Sequence, residues 1–141
     1  MAKQFRRLFR AEFETVRETL SELDDWLDWL GMRADPRGSA ELVLAEVLNN
    51  IVEHAYGEGA PGDVELSVGH SQKFLSCRLT DWGRPMPRSE LPEGKSAALD
   101  VDLAELPEGG FGWFLIRQMV EELHYHRDND RNVVSFRLPL S

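Results

Sequence analysis

The stretch LAEVLNNIVEHAY, residues 44–56, decides how the rest of the chain is read. Val47, Leu48, Ile51 and Val52 give it the apolar content of a helix set into a core. Glu46, Asn50 and Glu53 recur at i, i+4 and i+7, which puts them on one face, with His54 at its edge. Asn49 and Asn50 are poor helix formers in mid-helix, because their side chains compete with the backbone for hydrogen bonds. A solvated face accounts for a lone glutamate with a polar residue one turn on, and two asparagines among four aliphatics weaken that account. A glutamate and an asparagine one turn apart suit metal-assisted chemistry. The carboxylate takes a proton from an attacking hydroxyl, and the amide oxygen is a hard, neutral ligand for magnesium.

Upstream, Asp35-Pro36 reads as the start of this helix, an aspartate N-cap followed by proline at the first helical position. Gly57, Gly59, Pro61 and Gly62 end it in a loop. Before it, Phe13, Val16, Leu20, Leu23, Leu27 and Leu30 step by three and four, an apolar stripe over residues 12–31, with Gly31 as its stop and Trp26 and Trp29 beside it. Residues 4–10 read as a short edge strand. Downstream, Val64, Leu66 and Val68 alternate with polar residues, and Phe74 to Thr80 follow after a turn at residues 70–73, which makes a hairpin. Residues 81–110 hold four of the seven prolines and little periodicity, in the manner of a lid, with a short helix near Ala97–Glu105. Gly112 opens a third helix whose buried face is Phe114, Leu115, Met119 and Leu123, and strands near Leu123–Arg127 and Val133–Leu138 close the chain. The expected fold is α+β: a two-layer sandwich with helices on one face of a mixed, mostly antiparallel sheet. Residues 1–141 read as a single domain without repeats or linker.

Two further signals join the helix. Asp81 and Gly83 follow an apolar strand in Thr80-Asp81-Trp82-Gly83, where the carboxylate can accept from an exocyclic amine such as adenine's. The glycine lets the backbone come close to a flat ring. Glu108-Gly109-Gly110-Phe111-Gly112 runs straight into the third helix, and a glycine-rich turn at a helix N-terminus presents free N–H groups to phosphate. Each alone is an ordinary turn or loop end. In this order they compose a site for base, magnesium and phosphates.

Composition narrows the field. Sixteen basic against 25 acidic residues give −9, which repels a phosphate backbone and argues against direct nucleic-acid binding. The lone Cys77 rules out an internal disulfide and a cysteine-rich zinc module. His124 and His126 alternate on a strand with no third ligand in view, so they read as structural. No apolar run has membrane-spanning length and no signal peptide opens the chain, so the expected compartment is the cytoplasm, with no membrane partner.

LAEVLNNIVEHAY, LTDWGRP and EGGFGWFLI together resemble the GHKL ATPase superfamily, and among its members the small bacterial anti-sigma factor serine kinases, over roughly residues 35–138. The resemblance implies ATP and magnesium as cofactors. It implies that Glu46 is the general base and Asn50 the magnesium ligand, that Asp81 binds adenine with Gly83 beside it, and that Gly110, Phe111 and Gly112 line the phosphates. Ser135 falls where the family often has a threonine near adenine, and residues 84–109 match the ATP lid. It further implies a sigma factor and a STAS-type anti-anti-sigma protein as partners, and a homodimer with residues 1–31 as the candidate interface. Two positions depart from the pattern: Pro85 stands where fuller members have glycine, and Glu108 where some carry a lid arginine, with Arg84, Arg88 and Lys95 as nearby cations. A module that clamps a partner without transferring phosphate is the alternative.

Overall fold

A computed structural model of the chain describes residues 3–57, 59, 61–87, 90–91 and 110–140. Five strands form one sheet in the order β1-β2-β3-β5-β4: β1 is Lys3–Arg10, β2 Asp63–His70, β3 Phe74–Asp81, β4 Glu121–Asp128 and β5 Arg131–Pro139. Every pairing is antiparallel. The helices are α1 (Phe13–Trp29), α2 (Ala34–Asn50) and α3 (Gly110–Met119). The expected short helix near Ala97–Glu105 lies outside the described residues.

Alternation along the strands divides the sheet into two faces. Phe5, Val64, Leu66, Val68, Leu75, Leu79, Val134 and Phe136 are buried under the helices. From α1, Val16, Leu23 and Leu27 reach this core, each worth about 1.5–3 kcal/mol when buried. Phe13 and Trp29, from the expected stripe and its flank, are instead exposed. Gly31, at φ +88°, is the left-handed residue that closes α1: its N–H reaches Asp28 O at 2.9 Å and Met32 N–H reaches Leu27 O at 3.0 Å.

Two expected details differ. Helix α2 begins at Ala34 with Arg33 as its uncapped N-cap, so Asp35 stands in the first turn, facing the helix dipole rather than capping it. Pro36 is tolerated there because first-turn N–H groups have no intrahelical partner. Helix α3 starts at Gly110, two residues early, and ends at Met119. Its buried residues are Trp113 and Ile116, with Phe114, Leu115 and Met119 half-buried, and Leu123 belongs to β4. The early stop moves Leu123 from helical to strand spacing.

After Asn50, α2 widens into a π-helical segment, Ile51–Tyr56, closed by a bond from Gly57 N–H to Val52 O at 3.1 Å. Tyr56 fastens this segment to the sheet. Its hydroxyl donates to Asp63 O at 2.7 Å and accepts Trp82 N–H at 2.9 Å. Gly83 backs directly onto the same segment, where an added Cβ would lie 2.5 Å from Ala55 O. Ala55 O also accepts Arg84 N–H at 2.7 Å. Replacing Gly83 with alanine is therefore expected to destabilise the protein by about 1–3 kcal/mol through overpacking, read as a lower urea midpoint.

Helices α1 and α2 are joined by charge. Arg37 bonds Asp24 at 2.9 Å and Asp28 at 3.2 Å, and Glu41 shares a hydrogen bond with Asp24. Burial, then this neighbouring Asp24, pushes the Glu41 carboxyl from 4.5 up to about 7. Asp24, bonded to Glu41 and Arg37, is held below its ordinary value. Between pH 4.5 and 7 the folded chain thus keeps a Glu41 proton that the unfolded chain has lost. The stability this proton contributes is complete below 4.5 and lost as pH rises through 7. Solvent screening limits it to about 1 kcal/mol or less. Glu41→Gln is expected to flatten the fall in melting temperature between pH 5.5 and 8.

Candidate functional site

Helix α2 and the end of β3 meet across a cavity of about 460 Å³, within the range of small-ligand pockets. Asn50 and His54 stand on one wall, Asp81 on the other, and Val47, Ile51, Trp113 and Val134 supply its apolar surface. Arg84 to Pro87, the first residues of the expected lid, form its rim.

Asn50 is half-buried, and its Nδ2 donates to Glu46 O at 3.1 Å, leaving Oδ1 as the acceptor available to a ligand. Glu46 lies one turn earlier, with its carboxylate against the first turn of α3: a Cβ added at Gly112 would fall 2.5 Å from Glu46 Oε2. The sequence thus brings Glu46, Asn50 and Gly112 to neighbouring positions through one helix face and one helix N-terminus. Gly110 opens α3. Phe111 occupies its second position, between the two glycines, and its side chain lies outside the described residues.

Asp81 is 2% exposed. Its Oδ1 accepts from Gly83 N–H at 2.9 Å and from Asn132 Nδ2 at 2.8 Å. Among the described residues Oδ2 has no hydrogen bond, and no buried side-chain polar atom there lacks a partner, so Oδ2 opens onto the cavity that Asp81 lines. Burial raises the Asp81 carboxyl above its ordinary value, against the lowering effects of Asn132, the Gly83 N–H and the charge of Arg127.

Two expected positions stand outside the lining of this cavity. Gly83 is not among the residues that line this cavity; it stands beside Asp81, to which its N–H donates, and its missing side chain makes room for Ala55. Ser135 is on the opposite face of the sheet, in a concavity with Arg6, Ser67, Arg78 and His124. One residue of strand parity separates it from Val134, which does face the cavity. Sequence reading also missed Asn132, 3% exposed and bonded to Asp81. Its run, Asp128 to Asn132, looks like turn composition, and only an alternation count back from Val134 puts Asn132 on the inner face.

Of the lid cations, Arg84 donates to His54 O at 3.2 Å; Arg88 and Lys95 lie outside the described residues. Among the described residues no three His, Cys, Asp or Glu side chains cluster as an all-protein metal cage. An amide oxygen such as Asn50 Oδ1 is of the hard, neutral kind that magnesium accepts beside phosphate and water oxygens. No helix among the described residues is long and apolar enough to cross a membrane.

Comparison with known proteins agrees with the fold. The family profile of the histidine kinase-like ATPase domain matches residues 9–138. The serine/threonine-protein kinase BtrW of Bordetella bronchiseptica is 28% identical over 125 residues, covering 86% of each chain. The serine-protein kinase RsbW of Bacillus mycoides is 26% identical over 107 residues, covering 74% of this chain and 66% of that protein. The blue-light-activated histidine kinase 2 of Erythrobacter litoralis is 29% identical over 119 residues, 81% of this chain and 31% of that one. With nearly its whole length matched and the α+β architecture in place, the chain belongs to the histidine kinase-like ATPase domain family.

Proposed function

We propose that the chain is an ATP- and magnesium-dependent protein serine/threonine kinase that also acts as an anti-sigma factor, sequestering a sigma factor and phosphorylating a STAS-domain anti-anti-sigma protein in the cytoplasm. The observation that carries this reading is the convergence of Asp81 and Asn50 on one cavity, with Glu46 one turn away against the first turn of α3. The likeness to proteins named serine and serine/threonine kinases supports the choice of acceptor.

In this reading the Asp81 carboxylate accepts the exocyclic amine of adenine through Oδ2, and the N-terminal turn of α3 faces the phosphates. Asn50 would hold magnesium through Oδ1; the ion, when bound, supplies charge neutralisation at the phosphates. Glu46 takes the proton of the incoming serine or threonine hydroxyl. Catalysis is then mainly positioning and electrostatics, as phosphoryl transfer requires. Residues 84–109 act as the lid. A homodimer through β1 and α1 is part of the proposal, supported by the exposure of Leu8, Phe13 and Trp29 there.

A clamp that binds nucleotide and partner without transfer is the second reading. It is favoured by Arg84, whose guanidinium is engaged at the His54 carbonyl, and by Glu108 where a lid arginine would stand. Label transfer from ATP to a cognate STAS protein separates the two. Transfer by the wild type is expected to fall about 100-fold or more in Glu46→Gln while ATP binding persists. Asn50→Ala is expected to lose the magnesium dependence of ATP affinity. Wild-type protein that binds ATP and labels nothing establishes the clamp.

Asp81 accepts an amine only as a carboxylate. Because its carboxyl is raised, protonation begins at milder acidity than for an ordinary aspartate. The preference for ATP over inosine triphosphate is therefore expected to shrink as pH is lowered from neutrality into the acid range in which the protein stays folded, measured by calorimetric titration of both nucleotides. Their triphosphates are alike, so the ratio isolates the base.

A further inference from the structure

We propose that Asn132 is a positioning residue that fixes Asp81 as a hydrogen-bond acceptor, and that Arg127 imposes the direction of this relay. The inference rests on the reading of the cavity as a nucleotide site and adds what makes that site selective for an aminopurine.

The direction follows from donor and acceptor identities. A guanidinium only donates. Arg127 Nη1 donates to Asn132 Oδ1 at 3.0 Å and to Gly83 O at 2.8 Å. The Tyr125 hydroxyl accepts Met86 N–H at 3.0 Å and spends its own proton on Asn132 Oδ1 at 2.6 Å. Two donors thus hold the amide oxygen on one side, and the NH₂ group must face the other. There Nδ2 donates to Asp81 Oδ1 at 2.8 Å and to Arg84 O at 2.9 Å, with Gly83 O at 3.3 Å. A flipped amide would set NH₂ against Arg127 and its oxygen against the Asp81 carboxylate and the Arg84 carbonyl, an arrangement with donors facing donors and acceptors facing acceptors. The orientation is therefore forced by its surroundings.

The consequence lands on the base edge. With Gly83 N–H and Asn132 Nδ2 both on Oδ1, that oxygen is filled and the plane of the carboxylate is set. Oδ2 is left to the cavity as an acceptor. A ring presenting an amine is complementary to it, whereas a ring presenting a carbonyl at the same place sets acceptor against acceptor. The same amide holds the carbonyls of Gly83 and Arg84, and Tyr125 holds Met86, so the base edge and the root of residues 84–109 share one anchor.

The test reads the ratio of ATP to inosine triphosphate affinity by calorimetry, with melting curves to establish folding. Wild-type protein is expected to prefer ATP by about 10-fold or more, as a buried polar mismatch demands. Asn132→Asp keeps the shape and the acceptor toward Arg127 but turns an acceptor toward Asp81, and is expected to bring the ratio near one. Arg127→Gln, which removes the enforced direction at a half-buried position, is expected to lower it several-fold. A merely structural role for Asn132 weakens both nucleotides alike and leaves the ratio intact. An unchanged ratio in folded Asn132→Asp overturns the inference while leaving the nucleotide site standing; should that variant not fold, an unchanged ratio in Arg127→Gln does the same. A wild type that binds both nucleotides equally, or neither, overturns the assignment of Asp81 to the base and the inference with it.

Discussion

At Gly83 two pieces of backbone come so close that no side chain fits between them. The loop leaving β3 lies against Ala55 in the π-helical segment, and Arg84 N–H bonds Ala55 O across the contact. Carbonyls in the last turn of a helix have no partner within it, so this one is free to be used by a distant strand. The contact decides where α2 ends relative to the sheet. Asn50 and Asp81, 31 positions apart in sequence, face one cavity because of it. Tyr56 reinforces the same junction from the other side through Asp63 and Trp82.

Much of this was legible before the structure. The strands, the hairpin, the two long helices and the stop at Gly31 follow from periodicity and turn chemistry, which depend on residues near in sequence. The pairing of Glu46 with Asn50 follows from helical spacing alone. What escaped depends on neighbours far in sequence or on a shift of one residue. Ser135 faces the outer side of the sheet and Asn132 the inner, and three positions on one strand separate them. The buried face of α3 was misjudged because its helix ends at Met119, and Leu123 then has strand spacing. The close approach of Gly83 to Ala55 joins distant segments, which turn composition does not encode. The π-helical segment has no composition of its own: IVEHAY reads as ordinary helix, and its wider turn is set by the junction it makes.

Asp81 shows how a site can be acidic and dry together. A carboxylate that is 2% exposed requires compensation, and three sources supply it: one backbone N–H, one amide and the nearby charge of Arg127. All three converge from the side away from the cavity. Among the described residues no buried side-chain polar atom of this corner lacks a partner, and Asp81 Oδ2 is an acceptor that faces the cavity. Such partly spent networks are demanding, since each member constrains the orientation of the next.

The chain's one cysteine stands in the middle of β3, 3% exposed and surrounded by core aliphatics, and burial pushes its thiol up to about 12. At neutral pH it is therefore neither a nucleophile nor a target for oxidants while the helices cover the sheet. Alkylation of Cys77 requires the two layers to part. The protein thus carries its own clock for global opening: the rate at which a thiol reagent marks this strand reports how often the sandwich comes undone.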